Sequence, residues 1–330
     1  MDFCGKICSI IEKRGIEIRK ERNRNMKILK KYFFMAFCLL AVNAWAAWDN
    51  NQETPAQDTD GFYLISTPAE LAGFADIVKN GSYSAKARLI ADLVFGDDEK
   101  TNLCASEDVS TCWKSWGPIG RSLSNAFTGI LDGNGHIIYG LYAASNEMAL
   151  GLIGVLGEGG VVKNLTMVNP KFFNKRNYVD NNYFSLGGIV GTNYGTVLNC
   201  HVIDASIDVN NADNSYHSAT GGVVGINGDK DHQNAQVLNC SSTGKVVGRY
   251  VGGVVGWNNY GVVSGSYSTA DITGKKEEGH TDKTLDSTYA GGIIGYNATN
   301  ATLEYSAYYG GSISLTDNGW TGSLIGNGGE

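Results

Sequence analysis

The chain is poor in proline and in the residue patterns that hold metal ions. Only 4 of its 330 residues are proline, whereas 44 are glycine, and this balance suits short strands joined by tight turns. Cysteine pairs with the CxxC spacing of zinc sites are absent from the sequence. No dense run of acidic residues matches a calcium-binding loop. The sequence therefore predicts no metal site and no cofactor.

A secretory signal stands near the N-terminus. Residues 26–31 are basic, and residues 32–42 form an uncharged apolar run that is too short to span a bilayer comfortably. Ala44 and Ala46 fit the small-residue rule for signal cleavage. We expect residues 26–46 to be a signal peptide that is cleaved near Ala46, with an uncleaved anchor helix as the alternative. Because a charged leader such as residues 1–25 rarely precedes a signal, Met26 is the expected start.

The net charge of the chain after signal cleavage argues against nucleic acid and anionic membranes as partners. Residues 1–46 hold 10 of the 26 lysines and arginines and 4 of the 33 aspartates and glutamates, so residues 47–330 carry a net charge of −13. A surface of this sign repels nucleic acid and anionic membranes. We expect a secreted or cell-surface protein with no nucleic-acid partner and no membrane span in its mature chain.

Internal repeats are the strongest signal in the chain. Five segments have the form Gly-Gly-(Val/Ile)-(Val/Ile)-Gly or a close variant, and a degenerate sixth ends at Gly326. The five repeat-core glycines that end these segments are Gly154, Gly191, Gly225, Gly256 and Gly295. The final glycines are separated by 37, 34, 31, 39 and 31 residues. Unequal periods indicate that the repeats differ in loop insertions and share their core.

A second element follows each glycine segment. Residues 197–200 and 237–240 both read Val-Leu-Asn-Cys, and residues 263–266 take the same place in the next repeat. Short β-branched runs between glycine, asparagine and serine turns are typical of strands. One such repeat exposes an apolar face that only a neighbouring repeat can cover. The repeats therefore predict an all-β fold, a parallel β-helix or β-solenoid.

The expected organisation has four parts after residue 25. The signal peptide at 26–46 precedes a polar linker at 47–60, an N-terminal cap with the first β-coils at 61–148, and the repeats at 149–330. Thr67, Pro68 and Glu70 carry the signals of a helix N-terminus, and apolar residues follow at helical spacing. We expect a short capping helix over residues 67–79 that covers the first coil, and early strands at 88–95 and 137–141.

The glycine segment, the Asn-Cys strand and the turn after it occur in an order that resembles the GLUG motif. This repeat is found in bacterial secreted and surface proteins, among them adhesin-like proteins and some peptidase precursors. The resemblance covers about residues 149–326. It implies a structural repeat without catalytic residues. We therefore expect a non-catalytic, adhesin-like binding or structural module rather than an enzyme.

Asp132 and His136 are the strongest candidates for catalytic groups. They flank the turn Asp-Gly-Asn-Gly-His, where β-helical polysaccharide lyases and hydrolases would place a carboxylate and an imidazole. The same residues are simple turn formers, and a glycoside hydrolase needs a second carboxylate that nothing in the sequence specifies. The turn interpretation is favoured. A lyase or hydrolase, and a passive spacer of a larger surface assembly, stay as alternatives.

Aromatic residues recur in or near the loops, and Trp257, Tyr260 and Tyr296 are the candidate binding residues. Flat rings pack against the apolar side of sugars, so a polysaccharide is a candidate ligand. A cell-surface or envelope protein is the other candidate partner. The competing interpretation is that the rings stack on one another or close the corners of the solenoid.

Cysteine and asparagine also occupy repeated positions. Cys104 and Cys112 bracket a short polar loop and are a candidate disulfide. Cys200 and Cys240 share one position in consecutive repeats, and stacked buried thiols are favoured over a bridge there. A partial ladder of stacked amides is expected at Asn164, Asn199 and Asn239.

Overall fold

A computed structural model describes residues 48, 50–96, 115–174, 184–209, 218–275, 287–316 and 319–328. The expected leader, the signal peptide at 26–46 and the Cys104–Cys112 pair lie outside these ranges. Helix α1 is Pro68–Lys79, and a short 3-10 helix is Leu123–Asn125.

Strands make up most of the described residues. In chain order they are β1 Phe62–Ile65, β2 Lys86–Leu89, β3 Leu93–Val94, β4 Ile130–Asp132, β5 Ile137–Tyr139, β6 Tyr142–Ser145, β7 Ala149–Leu150, β8 Ile153–Leu156, β9 Val161–Val168, β10 Lys171–Asn174, β11 Phe184–Gly187, β12 Val190–Asn193, β13 Thr196–Asp208, β14 Ser218–Gly221, β15 Val224–Asn227, β16 Gln236–Leu238, β17 Ser241–Gly248, β18 Tyr250–Gly252, β19 Val255–Asn258, β20 Val262–Ser264, β21 Tyr267–Ser268, β22 Asp271–Gly274, β23 Thr288–Gly291, β24 Ile294–Asn297, β25 Thr302–Glu304, β26 Ala307–Tyr308, β27 Ile313–Leu315, β28 Gly319–Gly322 and β29 Ile325–Gly328.

The strands stack in parallel, one coil of chain upon the next. One six-stranded sheet has the order β7-β11-β14-β18-β23-β28, and a second has the order β8-β12-β15-β19-β24-β29. The remaining strands of each coil join a third, larger sheet. Because each coil sends one strand to each of the two six-stranded sheets, the predicted all-β parallel β-helix is confirmed.

The repeated glycine segments form the bend between the two six-stranded sheets. The six coils are numbered by these bends, at 150–153, 187–190, 221–224, 252–255, 291–294 and 322–325. Directly after each bend, an inward β-branched residue stacks in register on its equivalents. The fully buried members of this row are Ile153, Val190, Val224, Val255 and Ile294. Their burial supplies a continuous hydrophobic core at roughly 25 cal/mol per Å² of apolar surface removed from water.

The five repeat-core glycines lie where the second sheet crosses the backbone of the preceding coil. A Cβ atom on Gly225 would come within 2.6 Å of both the Leu186 amide nitrogen and the Gly191 carbonyl oxygen. Real Cβ atoms essentially never come closer than 3.0 Å to such atoms. The equivalent Cβ on Gly191 would lie 2.7 Å from the Leu150 nitrogen. These glycines are therefore required because backbones approach closely there.

The predicted capping helix is present as α1. The Thr67 hydroxyl accepts a hydrogen bond from the Glu70 amide at 3.1 Å, and the Glu70 carboxylate accepts one from the Thr67 amide, also at 3.1 Å. This reciprocal pair is a capping box. Leu71, Phe74 and Val78 are fully buried, and Phe74 packs edge to face on Phe127 at 5.9 Å. The helix thus adds its apolar face to the core at the start of the stack.

The early strand expected over residues 88–95 is wrong as a single element. The structure has β2, which ends at Leu89, and β3, which begins at Leu93. The chain turns between them, and Asp92 in this turn accepts a hydrogen bond from the Ile137 amide at 2.9 Å. The apolar spacing therefore spans two strands that pair with different partners, β4 and β5.

At the other end of the stack, the last described coil is more exposed. Strands β28 and β29 are the last members of their sheets. Leu324 is 40% exposed there, whereas its equivalent in coil 5, Ile293, is fully buried. Among the residues that the structure describes, no helix is long and apolar enough to cross a membrane.

Candidate functional site

Four aromatic side chains flank the bends of coils 4 and 5, and we call them the aromatic corner: Tyr250, Trp257, Tyr289 and Tyr296. Tyr250 on β18 and Tyr289 on β23 are register partners. Trp257 on β19 and Tyr296 on β24 are also register partners. Each of the two coils therefore contributes one ring from each six-stranded sheet.

The rings of the aromatic corner contact one another closely. Tyr250 and Tyr289 are stacked with ring centroids 5.3 Å apart. Trp257 meets Tyr250 at 5.9 Å and Tyr296 at 6.1 Å, both nearly perpendicular. These distances lie in the favourable range for aromatic pairs. All four residues are half-buried, so the corner both packs internally and presents ring surface to solvent.

The corner is built from positions that hold smaller, non-aromatic residues in earlier coils. Ser185 and Thr192 occupy them in coil 2, where their hydroxyl oxygens lie 2.7 Å apart. Ala219 and Ile226 occupy them in coil 3. In coil 6, Trp320 follows Tyr289 in register and is 60% exposed. The row therefore changes along the stack from small side chains to large rings.

Arg249 lies beside the aromatic corner. Its guanidinium carbon is 5.4 Å from the centroid of the Tyr250 ring, and its Nε donates a hydrogen bond to the Ser287 carbonyl at 3.3 Å. The residue is only 4% exposed. A buried cation against a ring stabilises that ring's position by a cation–π contact, so Arg249 helps to fix the corner.

The structure brings two of the three predicted binding residues together. Trp257 and Tyr296 are neighbours, whereas Tyr260 lies in the turn between β19 and β20 with a φ of 73°, outside the ring contacts that define the corner. Sequence reasoning missed Tyr250 and Tyr289 as members. The signal was their shared place, two residues before the leading glycine of the bend.

Asp132 is engaged by its own turn and by the next coil. Its Oδ1 accepts hydrogen bonds from the Asn134 amide at 2.9 Å and from the Asn164 side chain at 3.2 Å, and Oδ2 lies 3.5 Å from the Lys163 ammonium. Burial alone would raise the pKa of Asp132, but these hydrogen bonds and the charge of Lys163 hold it below its usual value. An ionised, fully bonded carboxylate suits a structural turn better than a proton donor.

His136 pairs with a different carboxylate. Its Nδ1 lies 3.0 Å from Oδ1 of Asp92, and the same oxygen accepts the Ile137 amide. Asp132 and His136 therefore belong to two separate sets of contacts, each of which ties one coil to its neighbour.

A further polar cluster, which sequence reasoning missed, lies at the turn after β15. The His232 ring packs on the Tyr194 ring with centroids 4.2 Å apart, and His232 Nδ1 lies 2.8 Å from Oδ1 of Asp229. Burial, followed by the charge and hydrogen bond of Asp229, raises the pKa of Tyr194 well above its usual value.

Within the described ranges, no three His, Cys, Asp or Glu side chains are grouped to hold a metal ion.

Cys200 and Cys240 are fully buried free thiols in the structure. They occupy equivalent positions because their neighbours His201 and Ser241 are register partners. Burial, and then the adjacent Cys240, raises the pKa of the Cys200 thiol well above its usual value. The favoured interpretation of stacked, inert thiols agrees with this arrangement.

Asparagines form two rows, and only one was predicted. Asn164, Asn199 and Asn239 have φ values of 54°, 52° and 53°, so they are left-handed turn residues. Asn199 donates a hydrogen bond to Asn164 at 3.0 Å. The second row ends four strands of the second sheet, and its members Asn193, Asn227 and Asn258 are fully buried. Its amides link coil to coil at 2.7–2.8 Å through Asn193, Asn227, Asn258 and Asn297.

A known family model matches two of these coils. The model of the GLUG motif matches residues 216–247 and 248–273, which hold the bends of coils 3 and 4. This chain contains GLUG-motif repeats. The matched segments include Tyr250 and Trp257 of the aromatic corner, so half of the corner is built on matched GLUG repeats.

Curated relatives share parts of the GLUG protein. It is 38% identical over 128 residues to halomucin of Haloquadratum walsbyi, which aligns 38% of this chain with 1% of halomucin. It is 27% identical over 192 residues to a protein of Evansella cellulosilytica named as a Gly-rich membrane protein, over 55% of this chain and 19% of that protein. The chain therefore spans a small part of the curated relatives that it matches.

A solved structure from Bacteroides ovatus, named as an immunoglobulin A1 protease, also aligns with the GLUG protein. The TM-score is 0.49 at 15% sequence identity, over 84% of this chain and 87% of that one.

Proposed function

We propose that this GLUG protein is a surface-associated, non-catalytic β-solenoid that binds a polysaccharide at its aromatic corner. The observation that carries the proposal is the aromatic corner, where half-buried rings occupy positions held by non-aromatic residues in coils 2 and 3.

Surface association is supported by the relatives and by the charge. Halomucin and the Gly-rich membrane protein carry names of mucin-like and membrane-associated proteins. The net charge of −13 expected for residues 47–330 favours solubility outside the cell.

A non-catalytic role is supported by the contacts of the best acid–base candidates. Asp132 is held by Lys163 and Asn164, whereas His136 is held by Asp92. A hydrolase would need two carboxyl groups across a scissile bond at a separation of about 5–10 Å. Each candidate here is instead engaged in holding neighbouring coils together.

The chemistry of the corner suits sugar rings. Aromatic faces and edges pack against the C–H groups of pyranoses and hold them without formal charge. Coils repeat at about 4.8 Å along the stack, so Tyr250, Tyr289 and Trp320 form a row parallel to the axis. A linear glycan chain that lies along this row would contact several rings at once.

Binding to immobilised polysaccharides tests the proposal. The purified protein is applied to an array of bacterial and plant glycans and to insoluble polysaccharide columns. We expect retention by at least one glycan, and at least about a tenfold loss of affinity for Trp257→Ala and for Trp320→Ala, because a buried aromatic contact contributes more than 1 kcal/mol. Tyr309→Ala is the matched control, since Tyr309 is 63% exposed and lies outside the corner.

Three outcomes would contradict the proposal. Retention by no glycan would favour a spacer. Equal losses in the Trp257 and Trp320 variants and in the control would place binding elsewhere. Release of reducing sugars that Asp132→Ala abolishes would indicate an enzyme. Thermal unfolding of each variant separates lost binding from lost folding, and Trp320→Ala changes the more exposed ring.

A further inference from the structure

The bends of coils 2–5 each open with two glycines, and a Cβ atom on the two would first meet different backbone atoms. A Cβ atom on the first glycine would collide with a carbonyl oxygen of its own coil. This partner is Val224 for Gly221 and Ile294 for Gly291. Each such contact is closer than the 3.0 Å that real Cβ atoms keep. The shortest contact lies within the coil itself, and a Cβ on Gly221 or Gly291 would also come within 3.0 Å of backbone atoms of the following coil. Coil 1 has Leu150 at this position.

The second glycine is required by the following coil. A Cβ atom on Gly222 would collide with the carbonyl oxygen of Gly253, the equivalent residue one coil later. In the same way, a Cβ on Gly253 would meet the Gly292 carbonyl, and a Cβ on Gly292 would meet the Ser323 carbonyl. Backbone oxygens held in a parallel sheet cannot move aside as a flexible side chain can. A coil can therefore stack on a bend only where this position is glycine.

Coil 6 has a glycine at the first bend position and a repeat-core glycine. It has no glycine at the second bend position, where a following coil would approach. Gly322 stands at the first position, and its Cβ would meet the carbonyl of Ile325. Gly326 is the repeat-core glycine, and its Cβ would lie 2.6 Å from the Gly295 oxygen of coil 5. The second position is Ser323.

We propose that Ser323 ends the GLUG stack, because its Cβ occupies the place that the bend carbonyl of a further coil would take. The open edge formed by β28 and β29 is thereby closed to any further coil of the same bend geometry, whichever polypeptide supplies it. Exposed parallel edges are sites of unwanted strand addition, and one serine at this position blocks it at the bend.

The buried asparagine row ends at the same coil. Each amide donates to the asparagine of the next coil, as Asn227 does to Asn258 at 2.8 Å and Asn258 does to Asn297 at 2.8 Å. The register partner of Asn297 in coil 6 is Gly328. A following coil would find no amide there to bind, so a second row of contacts stops independently of Ser323.

An added coil tests the proposal. A copy of residues 298–328, which supplies one complete coil, is appended after Gly328 in the full chain, once with Ser323 and once with Ser323→Gly. We expect the added coil to resist limited proteolysis at least about tenfold longer in the glycine version, because only there can it form a protected structure. Mass spectrometry locates the cuts, and uncut coils 1–5 in both proteins control for folding.

Two results would overturn the proposal. Equal protection of the added coil in both versions would mean that serine does not block stacking. Equal cleavage in both would mean that something other than Ser323 closes the edge.

In the chain without an added coil, Ser323→Gly should leave the midpoint of thermal unfolding within about 2 °C, since surface changes away from special contacts are nearly neutral.

Discussion

Asparagine has two separate roles in this protein, and backbone conformation distinguishes them. At the ends of β12, β15 and β19 in the second sheet it is fully buried, and its amide binds the next coil. In the turns it adopts positive φ at the same place in successive coils, as Asn199 and Asn239 do. Gly265 and Tyr305 take the same turn position in later coils, with φ of 63° and 50°. The turn therefore needs a left-handed residue, whereas the strand needs an amide.

Replacing a buried amide should cost much more than replacing a turn amide. Asn227→Ala removes the acceptor of the Asn193 side chain, which keeps its bond to the Gln236 carbonyl, and removes the donor to the Asn258 oxygen. We expect a loss of about 1–3 kcal/mol in the free energy of unfolding. The control is Asn199→Gly, which removes an exposed amide and keeps the positive φ. Urea denaturation measures both variants, and comparable losses would contradict the assigned roles.

At the scale of elements, helix α1 protects the start of the stack. Its capping box joins Thr67 and Glu70, and Leu71 and Phe74 are fully buried. Solenoids of this kind are held together by contacts between neighbouring units. The helix is therefore expected to limit how easily the first strands, β1 and β2, open.

Removal of the helix cap should weaken the N-terminal end alone. Thr67→Ala leaves the Glu70 amide without its hydroxyl acceptor and should cost about 1 kcal/mol. Hydrogen exchange should become faster in α1, β1 and β2 and stay unchanged in coils 4 and 5. Thr67→Ser is the matched control, since it keeps the oxygen. Uniform acceleration along the whole chain would contradict this local role.

The sequence predicts the elements that local residue patterns specify. It does not reveal the features that depend on contacts between coils. The glycine segments predict the bends, and Thr67, Pro68 and Glu70 predict α1, because both signals are local. The break between β2 and β3 was missed since Asp92 binds Ile137, a residue far along the chain. The buried amide row was missed because asparagine after a strand is also the usual turn former.

The same distinction holds for the candidate site. Trp257 and Tyr296 were found as loop aromatics, yet their contact depends on the register between β19 and β24. Tyr250 and Tyr289 join them only through the bend that turns one sheet onto the other. Tyr260 is close to Trp257 in sequence and lies outside the corner, since it occupies the left-handed turn position after β19.

For the whole molecule, acid stability is set by carboxylates whose pKa values shift in opposite directions. The pKa of Asp132 is lowered in the folded state, so its contribution is fully present above about pH 4 and is lost as the pH falls through the lowered value. Burial raises the pKa of Asp208, so ionised Asp208 costs stability at neutral pH, and that cost disappears on protonation.

Two isosteric variants should therefore have opposite effects at neutral pH. Asp132→Asn should lower the midpoint of thermal unfolding at pH 7 and have a smaller effect at pH 3, because the stability that comes from a lowered pKa decreases once the pH falls below the value of the unfolded chain. Asp208→Asn should raise the midpoint at pH 7 and have little effect at pH 3. Scanning calorimetry at both pH values measures the differences, and shifts of the same sign in the two variants at pH 7 would contradict the assignment.

The three glycine positions around a bend make the two neighbours of a coil inequivalent. A Cβ on Gly326 would meet the coil before it, a Cβ on Gly292 would meet the coil after it, and a Cβ on Gly322 would first meet its own coil. Their presence or absence in a sequence therefore records which neighbours a coil can accept. The residue at the second bend position in the sequence therefore predicts where a stack of this type ends.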